Sequence, residues 1–213
     1  MAGAALALGA CGGAARTPGI VLAPGAGPQP VDAPAQATPA TTFRINQADV
    51  EFMSGMIPHH AQAVLIAGWA ESHGAREDVR ILCERQVVAQ RDEIVWMQNW
   101  LRDRGQPVPD AKATHHRMVM NGVEHDMLMP GMLTDEELAQ LNKARGPEWD
   151  RLFLTFMIKH HEGALLMVEQ LFASHGAAQD EEVYRFAADV YADQTTEIHF
   201  MQKMLQMKGS QAP

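Results

Sequence analysis

Two short strings in this chain could do chemistry: Met56-Ile57-Pro58-His59-His60 and Met157-Ile158-Lys159-His160-His161. Each is followed at a matching distance by Gln-x-x-Glu-Ile-x-x-Met, first as Gln90, Glu93, Ile94 and Met97, then as Gln194, Glu197, Ile198 and Met201. Imidazole, thioether and carboxylate together are a donor set for soft and borderline metal ions. The bland alternative is a buried layer in which His and Glu or Gln merely satisfy one another. For a lone buried histidine that alternative wins. Duplication, with Met and Glu recurring at matching heights, moves the balance toward metal.

The elements that position these groups follow from the repeat. Asp49 to Ala67 aligns with Asp150 to Val168 at an offset of 101, and Ser72-His73-Gly74 with Ser174-His175-Gly176 at 102. From Gln90 to Gly105 the offset is 104. Apolar residues recur every three to four positions and no alternating run reads as strand, so each copy is a helical hairpin and the chain is all-α. The spacing predicts helices over about 47–73, 76–104, 147–175 and 179–208. Gly74 and Gly176 then end the first and third, with His73 and His175 as helix-end residues suited to the dipole. Counting outward from the turns puts His60 near the height of Gln90 and Met56 near that of Glu93, so that His60 should reach Gln90 or Glu93. The second hairpin repeats this with His161, Gln194, Met157 and Glu197. Met53, Met97 and Met201, taken singly, are more simply packing than ligands.

Repeat one spans 47–105 and repeat two 147–209, joined by a connection over 106–146. Thr134 followed by Glu137 is a capping box and starts a short helix to about Ala144. Ahead of it lie His115, His116, Met118, Met120, His125, Met127, Met129 and Met132. A connection of that length inside a compact domain calls for a function. These residues, with Met53, Gln90 and Gln194, form a secondary set of metal candidates. A flexible segment without metal is the competing reading of the tract.

Composition bounds the rest. The chain has 213 residues, 46% of them hydrophobic, which suits one domain and a tail. A net charge of −9 excludes a nucleic-acid partner and repels an anionic membrane, so membrane attachment would have to be covalent. Leu8-Gly9-Ala10-Cys11, after an apolar run, reads as a lipoprotein signal over 1–11 with Cys11 as the lipidated residue, although no basic residue precedes it. Residues 12–45, rich in Ala, Pro and Gly, read as a flexible tether, and 46–209 as the bundle. Cys83 is then left without an intrachain partner.

The pattern F-x-x-x-M-I-x-H-H-x-x-A, present as Phe52 to Ala63 and again as Phe153 to Ala164, resembles the bacterial family designated domain of unknown function 305. So does Gly131-Met132-Leu133-Thr134-x-Glu136-Glu137-Leu138. The resemblance covers about residues 46–208. It implies a ferritin-like four-helix bundle, and members of that family include periplasmic copper binders. It also implies the ligand set Met56, His59, His60, Glu93, Met97, Met157, His160, His161, Glu197 and Met201. Pro58 and Ala61-Gln62 in the first copy, against Lys159 and Glu162-Gly163 in the second, mean that the two copies need not be equivalent.

The expectation is therefore a cell-envelope protein, in the periplasm or on the outer cell surface. It would be held to the membrane only through a lipid anchor, and would bind Cu(I), Cu(II) or silver for buffering, resistance or delivery. Thioethers favour Cu(I) and imidazoles accept either copper state; iron, manganese and zinc fit less well. A metal-donor or acceptor protein and a homo-oligomer are compatible partners. No complete catalytic motif is present, so an enzyme is not expected. Two alternatives stand beside this reading. A ferritin-like di-metal oxidase would need Glu-x-x-His motifs that the four long helices lack. A bundle without metal would use its His–Glu layers to fix register.

Overall fold

The computed structural model describes residues 45–120 and 123–209, with the side chains of 117–126 and 208–209 left aside. Cys11, the signal over 1–11 and nearly all of the tether lie outside the described residues. Four long helices carry the structure: α1 (Gln47–Ala67), α2 (Glu77–Asp103), α4 (Gly146–Ala173) and α5 (Glu181–Gly209). Between the two hairpins come β1 (His116–Met120), β2 (Val123–Met127) and the short α3 (Asp135–Lys143). α1 packs on α2, α4 on α5, and α1 on α4. No helix among the described residues is long and apolar enough to cross a membrane.

Local sequence explains the starts. The Asn46 side chain accepts a hydrogen bond from the Ala48 N–H at 2.9 Å and caps α1. Thr134 and Glu137 form the reciprocal capping box of α3. Pro147 sits in the first turn of α4, where its missing N–H costs nothing.

Three features differ from the sequence reading. The helix expected over 47–73 ends at Ala67, and residues 68–74 form successive turns up to left-handed Gly74, φ +70°. His73 is therefore not a helix-end residue. It is buried, stacked on Trp69, and hydrogen-bonded through Nε2 to Asn142 at 3.0 Å, tying the α1–α2 turn to the end of α3. The Met/His-rich tract, read as loop or flexible segment, forms an antiparallel β-hairpin with His116 opposite Met127 and Met118 opposite His125.

β1 of that hairpin packs on α1, which holds Pro58. A proline at that place gives no N–H to the carbonyl of Ser54, four residues back. His116 of β1 is buried beside this stretch of α1, where burial lowers its pKa more than the Ser54 backbone raises it. Lys159, at the matching place in α4, has its N–H, so only the first copy lacks that donor.

The hairpins exchange equivalent contacts. Asp49, near the start of α1, accepts a hydrogen bond from the Ala178 N–H in the α4–α5 turn at 2.7 Å. Asp150, near the start of α4, accepts one from the Arg76 N–H in the α1–α2 turn at 3.2 Å. Likewise Asn46 donates to the His175 carbonyl at 3.2 Å, and the Gly146 N–H to the His73 carbonyl at 2.8 Å. Such reciprocity is what a pseudo-two-fold relation between the repeats requires.

The buried apolar residues fall into two clusters. One holds Met53, Met56, Ile57, Met97, Met167 and Phe186; the other Ile66, Leu82, Trp149, Phe153, Met157 and Met201. The break between them falls at His59-His60, Gln86, Gln90, His160-His161 and Gln194, all of which are buried. A polar layer thus crosses the middle of the bundle.

Candidate functional site

That layer is where α1 and α4 face one another. His59 and His160, one from each helix, lie with ring centroids 3.8 Å apart and planes tilted by 40°. His60 and His161 point the other way on the same helices, each toward its own hairpin partner. His60 Nε2 lies 2.6 Å from Glu93 Oε2, and His161 Nε2 lies 2.7 Å from Glu197 Oε2. The imidazoles are 0% exposed, whereas the carboxylates are 27% and 28% exposed, so each Glu stands at the solvent edge of its pair.

Of the two groups expected within reach of each histidine, the partner is the glutamate, one helical turn beyond the glutamine. Gln90 and Gln194 are buried in the same layer, with their Oε1 atoms unpartnered.

Hydrogen bonding in the layer is incomplete. His59 has a bond from Nε2 to the Pro130 carbonyl at 3.0 Å, but its Nδ1 has none. Nδ1 of His60 and of His161 are also unpartnered, as are both ring nitrogens of His160. Buried polar atoms are seldom left so, because each costs about 1–3 kcal/mol. Burial, and then the neighbouring His60, push the pKa of His59 down from 6.5 to about 3. Burial, and then His59 and His161, push His160 well below its ordinary value. Both rings are neutral at physiological pH, the state in which imidazole nitrogen ligates a metal without first losing a proton.

The thioethers flank this layer. Met56 precedes His60 by four residues, Met157 precedes His161 by four, and Met97 and Met201 follow Glu93 and Glu197 at the same spacing. Each therefore shares a helix face with its polar neighbour, one turn along. All four, and Met53, are 0% exposed. Among the described residues no three His, Cys, Asp or Glu side chains converge on one point. A cation held here would need a Met, Gln or backbone donor to complete its set.

The connection contributes a strap. Gln62 grips the backbone of Leu133 twice, accepting from its N–H at 2.7 Å and donating to its carbonyl at 3.0 Å. Gly163, the counterpart of Gln62, leaves room for the backbone of Pro130 and Gly131, whose carbonyl and Cα a Cβ there would overlap. Between these two anchors Pro130 reaches His59. Met129 packs over Gly55 and its N–H reaches the Met132 sulfur at 3.3 Å, Met132 is buried, and Met127 is 42% exposed. His115 and His116 lie instead beside a groove shared with the first turns of α1. The side chains of Met118, Met120 and His125 fall outside the described part.

Gln62, Gln86 and the Pro130 carbonyl were not among the sequence candidates. The signal was present for the first two: each stands where the other repeat has a residue unable to make the same bonds, Gly163 and Val190.

Fold and layer together define a helical bundle built of two fused hairpins around a buried imidazole–carboxylate centre. The chain belongs to the DUF305 family, a domain of unknown function whose profile matches residues 49–205. It is similar to a putative secreted DUF305 protein from Streptomyces coelicolor (26% identity, TM-score 0.64, covering 78% of this chain and 96% of that one). It also resembles a DUF305 fragment from Deinococcus radiodurans (27%, TM-score 0.61, covering 76% and 97%). CopM in its Cu(I)-bound form is 25% identical, with a TM-score of 0.56 over 74% of this chain and 95% of that one. CopM has also been solved in Cu(II)-bound and Ag-bound forms. No curated protein matches the chain.

Proposed function

We propose that this protein binds copper or silver in the cell envelope and serves to buffer, resist or deliver the metal. The observation that carries the reading is the set of orphaned nitrogens on His59, His60, His160 and His161. A layer that existed only to satisfy itself would stop at the two His–Glu bonds. His160 makes no such bond and His59 makes only one, to the Pro130 carbonyl, and the neutral state of both rings suits a cation. The residues fit such a cargo: nitrogen donors inside, a carboxylate at each edge, and the thioethers of Met56, Met157, Met97 and Met201 one turn away. Imidazole with thioether suits Cu(I) and Ag(I), and imidazole with carboxylate suits Cu(II). Similarity to CopM, solved with each of those ions, supports the same choice.

Glu93 and Glu197 would meet the ion first and orient the histidines behind them. The metal is cargo in this reading. In the envelope a lipid on Cys11 would hold the domain at a membrane without a spanning helix.

The test is metal content and affinity of the purified protein with Ag(I), Cu(I), Cu(II), zinc and iron. Copper and silver should bind best. Glu93→Gln should weaken uptake by on the order of tenfold, because an orienting or ligating carboxylate is lost. Protein that takes up none of these ions would return the layer to a structural role.

A further inference from the structure

The pseudo-two-fold symmetry of the layer is broken in α2, as well as at the bond of His59 to Pro130. Gln86 of α2 reaches across to the second hairpin, with Nε2 2.8 Å from Glu197 Oε2 and 3.4 Å from His161 Nε2. His161 Nε2 and Glu197 Oε2 are themselves 2.7 Å apart, so three side chains from α2, α4 and α5 meet in a small triangle. Gln86 is 2% exposed, and its other amide atom, Oε1, is buried without a partner. The counterpart of Gln86 in α5 is Val190, which is buried and apolar. The pair His60–Glu93 therefore lacks a third polar group from that position.

We propose that Gln86, His161 and Glu197 form a three-donor site for a borderline divalent cation such as Cu(II), which the His60–Glu93 half of the layer does not match. This rests on the metal-binding reading above and adds a ligand, Gln86, and a preference between halves. A half-turn of the amide exchanges Nε2 for Oε1, ending the donation to Glu197 and offering a carbonyl oxygen in its place. The orphaned oxygen then gains the partner it lacks. Ligands at about 2.0–2.2 Å from one ion lie roughly 3–3.5 Å apart, so the triangle needs to open only slightly. Nitrogen with two oxygens is a harder set than imidazole with thioether, and so selects a divalent ion over Ag(I). Both halves have a buried thioether one turn from the histidine, Met56 or Met157, but the first has no amide at the place of Gln86 and so keeps the softer character.

The experiment titrates full-length protein with Cu(II) and, separately, Ag(I), using calorimetry and the Cu(II) electron-spin resonance spectrum, with thermal melts as a folding control. Gln86→Val copies what the other repeat already holds. It should weaken Cu(II) binding by on the order of tenfold or more and alter the resonance spectrum, leaving Ag(I) binding unchanged. Gln86→Glu keeps an oxygen donor and should bind Cu(II) at least as tightly as wild type. If Gln86 served only as a hydrogen-bond donor to Glu197, a second carboxylate there would repel the first and Cu(II) binding would fall as in Gln86→Val. That result, or a Gln86→Val protein indistinguishable from wild type, overturns the assignment. Should Gln86→Val fail to fold, Gln86→Glu alone decides between the two roles. Wild-type protein that binds neither ion would instead overturn the metal-binding reading on which the assignment rests.

Discussion

Neither ring nitrogen of His160 has a hydrogen-bond partner, although the side chain is buried. Leucine fills a similar volume and has no polar atom to leave unsatisfied. His160→Leu should therefore raise the stability of metal-free protein by about 1 kcal/mol or more, read as a shift of the urea midpoint, while copper and silver uptake falls. A variant less stable than wild type would show that the imidazole contributes to the fold and weaken its claim as a ligand. The paired histidines and glutamates were legible because duplication marked them. What separates their roles was not: His59 and His160 face each other and His60 and His161 face glutamates through the rotation of neighbouring residues around a helix. Gln86 and Gln62 escaped a reading built on symmetry because they are departures from it.

At the scale of elements, the strap from Met129 to Leu133 depends on Gly163. A Cβ at that position would overlap the Pro130 carbonyl and the Gly131 backbone, neither of which is a flexible side-chain end. Gly163→Ala should cost about 1–3 kcal/mol in unfolding free energy and loosen the strap, exposing the amides of residues 129–133 to hydrogen exchange. Unchanged stability and exchange would mean that the strap can be carried elsewhere at no cost. The four long helices could be read from apolar spacing, and α3 from its capping box. The end of α1 could not, since residues 68–73 offer a helical pattern that the bonds of His73 to Asn142 override. The β-hairpin was hidden because the Met/His-rich tract has no clean alternation of apolar and polar residues.

For the whole molecule, the buried neutral histidines couple folding to pH. The folded pKa of His59 is about 3 against 6.5, so below 6.5 the unfolded chain takes up a proton that the folded chain refuses. Stability is then complete above about pH 6.5 and is lost as pH falls toward 3, at up to about 1.4 kcal/mol per pH unit for each such group. His160 acts with the same sign. Glu197 adds to the loss further down: burial raises its pKa, but the His161 hydrogen bond and charge outweigh burial and lower it. Urea unfolding of metal-free protein between pH 7 and pH 4 should show the decline, and a flat profile would mean that the histidines are wet or partnered. The exchange of Asp49 and Asp150 between the hairpins has a consequence of another kind. Each hairpin displays both a carboxylate and the turn that receives one, so either, standing alone, is its own complement. A lone hairpin of this type could close on a second copy of itself through the same bonds, and two fused copies need no new surface to fold. Fusion then frees the halves to diverge one residue at a time, as Gln86 against Val190, Gln62 against Gly163 and Pro58 against Lys159 have done.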